Sequence, residues 1–69
     1  MNEKERDDIY CDVQDKHWLD LQDYENEPWR QNAIGNWTKK SRIETMELTI
    51  TPEGILLHNR KGFHELYKR

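Results

Sequence analysis

Apolar residues in this chain are sparse and fall in short runs, and the clearest runs have strand period. Met46, Leu48 and Ile50 alternate with Glu47, Thr49 and Thr51, and three successive positions there are β-branched. Two turn signals follow. Thr51-Pro52-Glu53-Gly54 has Pro second and Gly fourth, and Asn59-Arg60-Lys61-Gly62 has Asn first and Gly fourth. Both suit a type I turn closed by a glycine bulge. With Ile55–His58 between them and Phe63–Tyr67 after them, the pattern predicts a three-stranded antiparallel meander.

Register decides what each face of that meander carries. A bulged first turn sets Thr51 opposite Ile55, leaving both faces partly apolar. A two-residue loop instead gathers Leu48, Ile50, Ile55, Leu57, Phe63 and Tyr67 on one face. In the second hairpin His58 faces His64, and Leu56 faces Leu66. Phe63, Leu66 and Tyr67 also fit a terminal helical turn.

Upstream the pattern is less decisive. Ile9, Cys11 and Val13 alternate with polar neighbours, and Leu19 and Leu21 do the same after Gln14-Asp15-Lys16-His17, which reads as a hairpin. The competing reading is a helix from about Glu3 to Val13, because Ile9 and Val13 are also spaced i, i+4 among good helix formers. Residues 1–8 read as a flexible acidic arm, with a single small domain over 9–69. In the segment 26–35, Asn26 suits an N-cap, Pro28 a first turn and Gly35 a C′ position, predicting a short helix near 27–34 with Trp29 and Ala33 on one face. Trp37–Ile43 is a polar, basic run. The expected fold class is α+β: a C-terminal three-stranded antiparallel meander, one short helix and an N-terminal acidic segment that is a hairpin or a helix.

Composition changes this picture little. At 69 residues the chain supports one small core, and its 33% hydrophobic content makes that core marginal. Three Trp and three Tyr argue for a folded chain. A single cysteine, Cys11, excludes an internal disulfide and fits a reducing compartment, so a cytoplasmic location is expected. No apolar run approaches the roughly 18 residues of a membrane span.

Charge adds more. Residues 1–30 carry ten acids against four bases, while residues 31–69 carry seven bases against four acids. The acidic half also holds Tyr10, Trp18, Tyr24 and Trp29. Aromatics make interface hot spots, and carboxylates steer toward basic surfaces. The expectation is a non-enzymatic protein-binding module that docks on a larger basic, nucleic-acid-handling protein as an inhibitor or modulator. Its partner-binding residues would be Asp12, Asp15, Trp18, Asp20, Asp23 and Tyr24. Small acidic inhibitors of this kind are typical of phages and mobile elements. The alternative is a nucleic-acid-binding patch of Trp37, Lys39, Lys40, Arg42, Arg60 and Lys61, which the net charge of −3 opposes. Self-association into a homo-oligomer would also relieve a marginal core.

No cofactor motif, phosphate loop or nucleophile elbow is present. His58 and His64 could join Cys11 and His17 at a zinc ion, but no usual ligand spacing supports this, and ordinary surface histidines are expected. Cys11 beside Asp12 is a poor candidate nucleophile and reads as a small buried residue.

Overall fold

A computed structural model describes residues 1–69 as one helix packed on one face of a five-stranded antiparallel sheet. The α+β class holds, and the meander is longer than the sequence pattern predicts. The elements are α1 (Glu3–His17), β1 (Arg30–Gln31), β2 (Trp37–Lys40), β3 (Met46–Thr51), β4 (Gly54–Asn59) and β5 (His64–Lys68). The strands lie in sequence order, so every connection is a hairpin or a short loop.

Of the two readings of the N-terminal segment, the helix forms rather than the hairpin over residues 9–21: α1 starts at Glu3, within the stretch read as an arm, and runs past Val13 to His17. Asn2 caps it, its side-chain oxygen accepting from the Glu5 N–H at 2.8 Å, with Glu3 and Glu5 in the first turn and Lys16 and His17 in the last. Glu3 and Glu5 at the start and Lys16 at the end complement the helix dipole. The i, i+4 pair Ile9 and Val13 is fully buried and supplies the helix's part of the core. With so narrow an apolar stripe, the sequence could not separate a helical from a strand period.

The segment 27–34 is not a helix. Arg30 and Gln31 pair with Thr38 and Trp37, and the residues between them form a hairpin turn. The Asn32 side chain accepts from the N–H groups of Ile34 and Asn36, and Gly35 takes φ 86°. Asn32 and Gly35 therefore close a turn between two strands.

Register between β3 and β4 is Ile50 opposite Ile55 and Thr51 opposite Gly54, the two-residue loop rather than the bulged one. The Thr51 hydroxyl accepts from the Gly54 N–H at 3.2 Å and fixes this loop. A Cβ at Gly54 would collide with the Tyr67 carbonyl of β5, and φ there is 150°, so the close strand approach requires glycine. Leu48, Ile50, Ile55, Leu57 and Tyr67 thus share the inner face with Lys39, under α1. Phe63 follows the same parity, but it lies beyond the packed region and is 44% exposed. The buried core is Ile9, Val13, Leu21, Tyr24, Leu48, Ile50 and Ile55. The outer face carries Thr38, Lys40, Glu47, Thr49, Leu56, His58, His64 and Leu66. No helix is long and apolar enough to cross a membrane.

Candidate functional site

Two aromatic regions stand out, and they differ in what they touch. The first is internal. The Arg6 guanidinium sits between Trp29 and Trp37, at 4.8 and 4.7 Å from the two rings, and pairs with Asp7 at 2.9 Å. Lys39, only 6% exposed, places its Nζ 4.5 Å from the Trp29 ring and donates to the Tyr24 carbonyl at 3.2 Å. Tyr10 meets Trp29 edge to face at 5.7 Å. Each cation lies over an aromatic ring, where the quadrupole attracts it. Burial pushes the Lys39 ammonium below the ordinary lysine range, and Arg6 adds to this, while Asp7, Glu25 and Glu27 oppose it. Burial likewise raises the phenols of Tyr10 and Tyr24. These groups close one end of the core.

The second region is the corner where α1 ends. Trp18 stands just past the helix in the left-handed conformation, φ 54° and ψ 42°, and is 92% exposed. Its N–H and that of Leu19 both bond the Gln14 carbonyl, closing the helix as glycine commonly does. Leu19 turns back to pack against the core, which drives the indole outward. Trp18 lines a shallow depression with Gln14, Asp15 and Leu19. Helical spacing puts exposed Asp8, Cys11, Asp12 and Asp15 on one stripe running toward it. Cys11 is therefore a solvent-facing thiol, not the buried residue expected.

The six expected partner-binding residues are divided by the fold. Asp15, Trp18 and Asp20 are exposed, and the Asp20 side chain accepts only a local bond from the Gln22 N–H. Asp12 pairs with Arg69 at 2.9 Å, and Asp23 pairs with Arg42 at 2.8 Å. Tyr24 is 6% exposed and belongs to the core, with its carbonyl accepting from Lys39 Nζ. Sequence reasoning could not see these pairings, which join residues 19 and 57 positions apart.

The basic set is divided more severely. Trp37 and Lys39 lie on the inner face, Trp37 under Arg6 and Lys39 among Trp29, Tyr10 and Tyr24. Lys40 faces the other side of β2, Arg42 is held by Asp23, and Arg60 and Lys61 sit at the exposed tip between β4 and β5. Strand alternation separates Trp37 and Lys39 from Lys40, so the six never form one surface.

His58 and His64 are cross-strand neighbours with stacked rings 6.0 Å apart, as the register predicts. His58 also contacts the Thr49 hydroxyl at 3.0 Å and lies 3.6 Å from Glu47. They occupy the outer face, whereas Cys11 and His17 belong to the helix covering the inner face, where His17 meets the Lys68 carbonyl at 2.7 Å. The four-ligand zinc arrangement is not assembled.

No protein-family model matches the chain, no curated protein matches its sequence, and no solved structure matches its fold.

Proposed function

We propose that this protein is a non-catalytic binding module that docks its acidic face on a larger, basic, nucleic-acid-handling protein, as an inhibitor or modulator. The observation that carries this reading is Trp18: a large aromatic, 92% exposed, beside an unpaired Asp15 and at the end of an acidic helical stripe. A solvated indole adds nothing to the core, yet exposed aromatics surrounded by charge are typical anchors of interfaces. The docking surface is Asp15, Trp18 and Asp20, with Asp12 and Asp23 available only by displacing Arg69 and Arg42.

The nucleic-acid alternative has less support. It needs an aromatic free to stack and cations on one surface, and Trp37 and Lys39 are engaged inside.

Capture from native-host lysate on three columns tests the reading: the unaltered chain, Trp18→Ala, and Asp15→Lys with Asp20→Lys. A basic nucleic-acid-handling protein should be retained by the first column, released by salt, and lost from the other two. Identical retention on all three columns would reject the surface. Tight, salt-sensitive binding of a single-stranded oligonucleotide, read by fluorescence anisotropy, would favour the alternative.

A further inference from the structure

Two tryptophans and three arginines make two kinds of contact in this fold: indole against guanidinium, and carboxylate against guanidinium. Trp29 and Trp37 both have the Arg6 guanidinium against their rings. Asp7, Asp12 and Asp23 each hold an arginine, from Arg6, Arg69 and Arg42 respectively. Trp18 and Asp15 present the same two groups side by side in one depression, but neither has a cation. Resting on the docking reading above, we propose that the Trp18 corner is an arginine-recognition site. It takes an arginine-bearing segment of the partner, with the guanidinium stacked on the Trp18 indole and paired with the Asp15 carboxylate.

Arginine fits this pair better than lysine. Its planar, weakly hydrated guanidinium stacks on an aromatic face while its edge still donates to a carboxylate. An ammonium is a compact, strongly hydrated charge and must give up one contact for the other. The exposed acids Asp8, Asp12 and Asp15 along the helix beside Trp18 make a basic segment the charge complement of this corner. Arginine-bearing segments of nucleic-acid-handling proteins are the ones that grip phosphate. Occupying them would compete with that grip.

Calorimetric titration of the full chain at low salt tests this with two synthetic peptides of equal length and charge, one alternating Arg with Gly and the other Lys with Gly. The arginine peptide should bind roughly tenfold tighter than the lysine peptide. Trp18→Ala and Asp15→Asn should each remove most of that preference. Trp18→Gly separates recognition from folding: glycine suits the left-handed backbone, so the thermal midpoint should rise while arginine binding falls about tenfold. Equal affinity for the two peptides, unaffected at Trp18, would overturn the arginine assignment and leave a purely electrostatic docking face. No binding of either peptide, together with no selective capture from lysate, would reject the docking reading as well. Concentration-dependent sedimentation that disappears in Trp18→Ala would identify a second copy as the occupant, and would also overturn the assignment.

Discussion

Trp29 and Trp18 occupy opposite situations in one small molecule. Trp29 is wedged between Tyr10, Arg6 and Lys39, with Arg6 paired to Asp7 and Lys39 donating to the Tyr24 carbonyl. Trp18 touches almost nothing and sits in a backbone conformation that suits glycine better. The contrast separates two uses of an aromatic ring. At Trp29 it extends a core of seven buried residues by holding cations over its faces. At Trp18 the same ring is left in water, outside the core.

The largest expected effect lies on the inner side. Trp29→Ala removes the contact shared by Tyr10, Arg6 and Lys39 and should cost about 3 kcal/mol in urea unfolding. Trp18→Ala should change stability by less than about 0.5 kcal/mol, as surface substitutions do. Equal losses at the two sites would break the comparison. Next in size, Arg6→Ala should cost about 1.5 kcal/mol, because the Arg6 side chain is only 11% exposed and packs against both rings. Arg6→Lys should recover only part of this, since a compact, strongly hydrated ammonium makes poorer contact with two rings than a guanidinium does.

The smallest effect is a pH dependence. The folded state holds the Lys39 amine below the ordinary lysine range, chiefly through burial. Between the lowered folded pKa and the ordinary range, the unfolded chain binds more protons, so folding gains stability as pH rises. The raised Tyr10 and Tyr24 act in the opposite sense near pH 10, because the unfolded phenols ionise first. Comparing the unaltered chain with Lys39→Met cancels the tyrosines. The difference between them should move in favour of the unaltered chain from pH 7 toward pH 10. A flat difference would mean that Lys39 feels no burial.

Two turns show how far the sequence could be read. Asn32-Ala33-Ile34-Gly35 and Asn59-Arg60-Lys61-Gly62 are built alike: each Asn side chain accepts two backbone N–H groups across the turn, and each Gly has positive φ. The second is legible as a turn because strand-patterned residues flank it. The first reads as a helix end, because Pro28 and Asn26 precede it and its strand, Arg30–Gln31, has only two residues and no alternation. Local chemistry was the same in both; the flanking pattern decided the reading. The candidate site was half legible. The acidic aromatic surface is visible in sequence, but buried Tyr24 and the paired Asp12 and Asp23 look identical to free Asp15 and Asp20 until the chain folds.

By itself the sequence determined the α+β class, the β3–β4–β5 meander and the concentration of acids in the first half. These follow from two-residue periodicity, turn residues and composition, all of which are local. Tertiary structure decided that residues 3–17 form a helix, that β1 and β2 extend the sheet, and that Lys39 points inward while Lys40 points outward. Those outcomes depend on which face of the sheet finds a partner. A helix with a two-residue apolar stripe becomes definite only when Ile9 and Val13 meet Leu48, Ile50 and Ile55. Trp18 is left outside because Leu19 takes the place against the core.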